Sequence, residues 1–186
     1  MVSEPYESEV HKVYGLRAAD SLPTLFENTL DILVEEANGR PILIRSQLAI
    51  DFPYIEAQIR KRPGANIIHS HLHASVIASR SKFFVTNWVT TTLADARTFG
   101  APTIEYSDYN DRLRDIYENG STCPEWVTHF VNRDKEQLRT TVRGLLDGSN
   151  LPPPITFDYD NDIDVSDLLA SGAAWNGDEI MALRRT

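Results

Sequence analysis

The sequence of 186 residues is poor in cysteine, in basic charge and in long apolar runs. Its single cysteine, Cys123, excludes an internal disulfide and a cysteine-rich zinc site, and this usage fits a reducing cytoplasm. Acidic residues number 27 against 18 lysines and arginines, so the net charge of −9 argues against nucleic acid as a partner. No apolar run reaches the length of a membrane span. We therefore expect a cytoplasmic protein without an integral membrane segment.

Two glycine-rich phosphate-binding motifs are missing as well. Neither G-x-G-x-x-G nor G-x-x-x-x-G-K-[ST] occurs in the sequence, which makes a dinucleotide fingerprint or a Walker-type loop a poor interpretation. We expect no resident cofactor and no metal. A phosphate site, if the chain has one, must be built from another arrangement of residues.

What the chain does contain is an alternation of strand-like and helix-like segments. Strands that alternate with helices form right-handed crossovers, and these build a parallel sheet with helices on both faces. The sequence therefore predicts an α/β fold, a Rossmann-like three-layer sandwich with a mostly parallel sheet of about six strands. We predict strands at residues 10–16, 41–45, 66–69, 82–86, 103–106 and 126–131. We predict helices at residues 21–38, 52–60, 73–80, 90–99 and 133–147.

The composition of the chain changes near residue 148. Residues 1–148 carry the alternation and are predicted to form one Rossmann-like domain. Residues 149–186 begin with a run of prolines and continue with many acidic residues. This composition predicts a tail that wraps the domain or contacts a partner.

Polar side chains follow the predicted strands at the points where these strands end. Arg45 follows the second strand, His69 ends the third, and Tyr106 ends the fifth. Ligands of parallel sheets bind outside the carboxyl ends of the strands. We therefore expect residues 45–47, 69–71, 86–92 and 106–108 to line one cleft.

A cluster of hydroxyl groups opens the helix that follows the fourth strand. Thr90, Thr91 and Thr92 stand where the backbone N–H groups and the helix dipole attract an anion, above all a phosphate. Plain N-capping is the alternative interpretation, although one cap needs only one hydroxyl. Plain capping therefore stays open as an interpretation, and the three consecutive threonines shift the balance towards a phosphate site.

The order of these segments resembles the C-terminal, donor-binding domain of GT-B glycosyltransferases. The most similar patterns belong to surface-polysaccharide and glycerophosphate-polymer transferases and to nucleotide-sugar 2-epimerases. The resemblance covers residues 10–147 and includes Arg45 after a strand, the hydroxyls at 90–92 and the Gly-x-Pro at 100–102. The His-Pro that often follows the arginine is absent, and Asp95 stands where a glutamate is common.

The resemblance implies that the chain is the donor-binding half of a glycosyltransferase acting in polysaccharide or glycan biosynthesis. Residues 90–92 would bind the diphosphate of a nucleotide-sugar donor, and Arg45 and His69 would neutralise the leaving diphosphate. An acceptor-domain subunit or a second copy of the chain would complete the enzyme. The resemblance also implies Asn87 and Asp95 as binding residues, and Tyr106 is added as a binding residue from its place at the end of the fifth strand.

Three alternating histidines give a rival interpretation. His69, His71 and His73 would share one face of an extended strand, and His129 could join them in a metal-dependent hydrolase. Alternatively, the strand ends near residue 70 and one of the histidines caps the next helix. A nucleotide- or sugar-binding module without catalysis is a third possibility. No carboxylate lies close in sequence to the histidines, and this disfavours the metal site.

Overall fold

The computed structural model describes residues 15–18, 20–46 and 51–153 of the chain. The strand predicted at 10–16 lies mostly outside these ranges, as do Gln47 and the tail from residue 154. In the part described, the strands are β1 (Ile42–Ile44), β2 (Ile67–His69), β3 (Phe84–Thr86), β4 (Thr103–Ser107) and β5 (His129–Asn132). The α-helices there are α1 (Ser21–Ala37), α2 (Phe52–Arg60), α3 (Ala74–Ala78), α4 (Thr91–Thr98), α5 (Asp111–Ile116) and α6 (Lys135–Asp147).

All pairings between these strands are parallel, so the prediction of an α/β fold with parallel strands is confirmed. β1 pairs with β2, and β4 lies between β3 and β5. The prediction of about six strands in one sheet is wrong for the described residues, which form a two-stranded and a three-stranded sheet. The two sheets are separate because β1 and β3 do not pair with each other. Both strands instead line a cleft that lies between them.

Helix α1 supplies side chains to the cores of both sheets. Leu25 and Ile32, seven residues apart, pack with Ile104 of β4 in the core of the three-stranded sheet. Leu30 and Ala37, also seven residues apart, pack with β1 in the second core. Because a seven-residue spacing returns to nearly the same side of a helix, α1 presents a separate apolar stripe to each sheet.

The two sheets run in the same direction. Beyond the carboxyl end of β1, the hydroxyl of Tyr54 donates to the carbonyl of Pro23, at 3.4 Å, in the first turns of α1. Beyond the carboxyl end of β4, Asp108 accepts a 2.8 Å hydrogen bond from Ser21, the first residue of α1. Both carboxyl ends therefore lie at the start of α1, and the sheets share one carboxyl edge.

The predicted helix boundaries agree well with the structure where a capping residue marks them. Asp134 precedes α6, and its carboxylate accepts a 2.9 Å hydrogen bond from the backbone N–H of Gln137. Gly148 ends the same helix with φ of +87°, which a glycine adopts without strain. Across the described ranges, no helix combines the length and the apolar character needed to cross a membrane.

Candidate functional site

A cavity of about 690 Å³ lies between β1 and β3, and we call it the central cleft. Its body is apolar, since Leu30 and Leu33 of α1, Ile44 of β1, Ile77 of α3 and Val85 of β3 all line it. Polar and charged side chains lie at its two ends. The cleft is thus an apolar channel bordered by groups that can hold charge.

The carboxyl rim of the cleft, as we define it, consists of Arg45, Ser46, Asn87, Thr90 and Thr92. Arg45 and Ser46 follow β1, while the other three residues follow β3. The structure therefore brings together two segments that are more than forty residues apart in the sequence. Four of the predicted site residues belong to this rim: Arg45, Asn87, Thr90 and Thr92.

Thr90 is the N-cap of α4. Its backbone is extended, with φ of −142°, and its hydroxyl accepts a 3.2 Å hydrogen bond from the backbone N–H of Thr92. The hydroxyls of Thr90 and Thr92 are also hydrogen-bonded to each other. Thr91 is exposed at the first position of the helix and does not line the cleft. The end of α4 at the rim therefore combines hydroxyl groups with the positive end of the helix dipole.

Asn87 fixes the start of the turn that leads into α4. Its side-chain amide donates a 2.8 Å hydrogen bond to the hydroxyl of Thr29 in α1. That hydroxyl in turn donates to the carbonyl of Leu25, also at 2.8 Å. The neighbouring Thr86 lines the cleft, and its buried hydroxyl has no partner in the described part of the chain. The turn is thus held by α1 and leaves one buried polar atom beside the cleft.

Arg45 supplies the cation of the carboxyl rim. Its Nε donates a 3.2 Å hydrogen bond to the carbonyl of Leu72, which lies in the loop after β2. The guanidinium carries further N–H donors at its Nη atoms, and their fork suits a phosphate or a carboxylate. The bond at Nε therefore orients the side chain without using the groups best placed to hold an anion.

His69 lies outside the central cleft. Its Nδ1 is 2.9 Å from a carboxylate oxygen of Glu56, and its ring packs edge-on against Phe52. Only 8% of its side chain is exposed, and its Nε2 is buried without a partner in the described residues. The structure thus separates His69 from the carboxyl rim but leaves one ring nitrogen unused.

Tyr106 and Asp95 are also not brought into the cleft. Tyr106 is 1% exposed, and its hydroxyl donates a 3.3 Å hydrogen bond to the carbonyl of Arg133 while accepting one from Asn28. Burial raises the pKa of Tyr106. Asp95 lies on α4 beyond the rim, partly exposed. Tyr106 belongs to the core, and Asp95 to the flank of the helix.

The amino end of the cleft holds cations that sequence reasoning missed. We define this basic end as Arg40, Arg80 and Lys82, which line the cleft just before β1 and β3 begin. With Arg45, four cations line the cleft against one carboxylate, Asp51, in the described part. Asp51 accepts a 2.7 Å hydrogen bond from Ser46. The signal in the sequence was a cation shortly before each of two strands.

The histidines that suggested a metal site are used in other ways. Nδ1 of His73 accepts a 3.3 Å hydrogen bond from the backbone N–H of Ser75 and so caps α3. His71 packs against the ring of His69, and Nδ1 of His129, the first residue of β5, is hydrogen-bonded to the hydroxyl of Thr128. No group of three or more histidine, cysteine or acidic side chains within the described ranges is arranged to hold a metal ion.

Comparison of the chain with protein-family models, with curated proteins and with solved structures found no match.

Proposed function

We propose that the protein binds a nucleotide-sugar diphosphate at the carboxyl rim and acts as the donor-binding half of a GT-B type glycosyltransferase. The observation that supports this proposal is the convergence of Arg45 and the N-terminus of α4 on one cleft. A guanidinium and a helix N-terminus are both groups that bind phosphate. The common carboxyl edge of the two parallel sheets is compatible with a Rossmann-like domain.

In this proposal Arg45 and the N-terminus of α4 act on the diphosphate. Arg45 neutralises the negative charge that grows on the leaving group, and the N-terminus of α4 binds a second phosphate oxygen. His69 contributes only if the donor reaches its buried Nε2, because Nδ1 is engaged with Glu56. Asp95 is retained as a candidate for a ribose or sugar hydroxyl. Tyr106 receives no direct role, since its hydroxyl is bonded within the core.

The proposed enzyme needs a second component. Sugar transfer requires an acceptor held in line with the donor and a site from which water is excluded. An acceptor-domain subunit or a second copy of this chain would supply both of these by covering the carboxyl rim.

The test is calorimetric titration of the full chain with UDP, GDP, CMP and CDP. We expect one of these nucleotides to bind, and we expect Arg45→Ala to weaken its binding by about tenfold or more. Thr90→Val with Thr92→Val removes the two hydroxyls that line the rim at nearly constant side-chain size, and it should weaken binding of the same nucleotide. Thr98→Val is the matched control, because Thr98 ends the same helix and its hydroxyl bonds the carbonyl of Ala94.

Two outcomes would reject the proposal. One is the absence of binding for every nucleotide tested, and the other is unchanged affinity in both the Arg45 variant and the double threonine variant. Binding without transfer in the presence of every partner found would favour a binding module instead of a transferase.

A further inference from the structure

The edges of β1 and β3 that face the central cleft carry N–H and carbonyl groups that take no part in the pairing of the described strands. In β1, the N–H of Ile42 donates to Asn66 and the carbonyl of Ile44 accepts from Ser70, both at 2.8 Å. Successive residues of a strand point their main-chain groups to opposite edges. The N–H and carbonyl of Leu43, which lies between these two residues, therefore point away from β2 and towards the cleft.

The same alternation applies to β3. The N–H of Phe84 donates a 2.8 Å hydrogen bond to the carbonyl of Pro102, next to β4. The main-chain groups of Val85 therefore point to the opposite edge, and Val85 lines the cleft, as Leu43 does. No strand in the described part of the chain pairs with either of these edges. Two parallel strands thus present free edges to one cavity.

The cavity between these edges suits an extended chain more than a flat ligand. β1 and β3 are three residues long, so a strand pairing with both would span roughly 10 Å. Helix α1, which carries Leu33, packs on the face of β3 that bears Val85, whereas α3, which carries Ile77, packs on the face that bears Phe84. Leu33 and Ile77 both line the cleft. A strand covered by apolar residues on both faces is itself a short apolar run, typically of β-branched residues.

The cations of the cleft indicate which charge the amino end of an added strand should carry. Because a parallel strand begins at the same edge as its neighbours, its amino end would lie beside the basic end, Arg40, Arg80 and Lys82. Lys82 donates a 2.6 Å hydrogen bond to the carbonyl of Leu146, while Arg40 and Arg80 are exposed. Acidic residues at the amino end of the incoming strand would complement these cations.

We propose that the central cleft receives an extended segment of a partner protein, which adds as a parallel strand between β1 and β3. The segment carries acidic residues at its amino end and a short apolar run after them. Its main chain forms hydrogen bonds with the main-chain groups of Leu43 on one side and of Val85 on the other. This mode of recognition is known as strand addition. Its carboxyl end emerges beside Arg45 and Thr90, so the inserted segment would border the carboxyl rim without replacing its polar groups.

The probe for this proposal is a fluorescein-labelled peptide of sequence DDVIVTV, added to the full chain and followed by fluorescence anisotropy. We expect saturable binding, together with slower hydrogen exchange at the amides of Leu43 and Val85. A peptide with proline in place of its isoleucine removes a main-chain donor, and one with lysines in place of its aspartates reverses the charge. Both control peptides should bind at least about tenfold more weakly.

Two variants of the protein locate the site. Arg40→Glu combined with Arg80→Glu should lower the affinity for the peptide by about tenfold or more. Arg60→Glu combined with Arg112→Glu, also at exposed arginines, is the control and should leave this affinity unchanged. Val85→Pro removes the N–H that faces the cleft, and proline is tolerated at sheet edges. It also replaces a side chain that packs against the core of the three-stranded sheet, so retention of the fold is measured beside binding. The variant should weaken binding of the peptide while circular dichroism remains that of the parent.

Failure of the parent chain to bind the peptide would overturn the proposal. So would slow exchange at Leu43 and Val85 in the chain alone, because it would show that the chain or a second copy already fills the cleft. Dependence of that protection on protein concentration would identify the second copy.

Discussion

At the scale of single residues, the most unusual environment is that of Glu105. This carboxylate is fully buried in β4 and accepts hydrogen bonds from three hydroxyl groups. A buried charge is costly unless its oxygens are satisfied in this way. Burial, and after it the charge of Glu105, raises the pKa of Tyr109, so that phenol stays a hydrogen-bond donor. The three donors are Ser107 (2.8 Å), Tyr109 and Ser121.

We predict that Glu105→Ala lowers the free energy of unfolding by about 3 kcal/mol, because it opens a cavity and leaves buried hydroxyls without their acceptor. Glu105→Gln keeps the shape and one acceptor oxygen, so its cost should be nearer about 1 kcal/mol. Urea unfolding measures both values. Glu125→Ala, at an exposed position, is the control and should change stability by less than about 0.5 kcal/mol. Equal midpoints for the alanine variant and the parent would contradict this account of the cluster.

Tyr106 provides a second test at the scale of the residue. Because its hydroxyl is bonded to the carbonyl of Arg133 in the core, we predict that Tyr106→Phe leaves nucleotide affinity unchanged. The same variant should lose about 1 kcal/mol of unfolding free energy, the usual net value of a buried hydrogen bond. Titration calorimetry and urea unfolding separate the two effects. A clear loss of nucleotide affinity at unchanged stability would return Tyr106 to the ligand site.

At the scale of the elements, α1 and α6 are joined by charged side chains. Glu36 of α1 accepts a 2.7 Å hydrogen bond from Arg143 and a 3.1 Å hydrogen bond from Arg139. These contacts, the hydrogen bond from Arg143 above all, lower the pKa of Glu36 from its ordinary value of 4.5. A carboxylate whose pKa is lower in the folded chain stabilises the fold above its unfolded pKa, and loses this effect as the pH falls through its folded pKa.

We therefore predict that Glu36→Gln destabilises the protein near neutral pH and that the difference from the parent shrinks as the pH falls below about 4.5. Urea midpoints measured from about pH 6 to about pH 3.5 would show the convergence. Glu118→Gln, at an exposed position outside this group, should run parallel to the parent over the whole range. A difference that grows on acidification would contradict the assigned sign.

Element boundaries were predictable where local chemistry sets them and were missed where tertiary contacts do. The strand predicted at 126–131 begins only at His129, because a 3₁₀ turn occupies Pro124–Trp126. Thr103 and Thr128 also exchange hydrogen bonds between side chain and backbone at 2.9 and 3.0 Å before the ladder starts. Helix α5 was not predicted at all. None of its residues is buried, so the apolar period that reveals a helix is absent.

At the scale of the whole molecule, the sequence predicted the edge at which polar groups meet but not which side chains reach the cleft. Arg45 and Thr90 lie in loops that follow their strands. Loops at the carboxyl edge of a parallel sheet converge whatever conformations their side chains adopt. His69 and Tyr106 lie within strands, where alternate side chains point to opposite faces of the sheet. Their direction depends on register, which residue order alone does not reveal.

The proposed donor-binding role carries a prediction about assembly. We expect the purified chain to form a homodimer or to bind an acceptor-domain subunit, burying roughly 1,200 Å² or more in total. Analytical ultracentrifugation tests the homodimer, and co-purification from the native source tests the heteromeric form. A monomer that transfers sugar without any partner would contradict this expectation.

The two apolar stripes of α1 have a consequence for cooperativity. In the described part of the chain the two sheets share no strand pairing, and α1 contributes a buried stripe to each core. Fraying of this single helix would therefore withdraw side chains from both cores at once. Hydrogen exchange in β1 and in β4 should report the same opening event, although the two strands belong to different sheets.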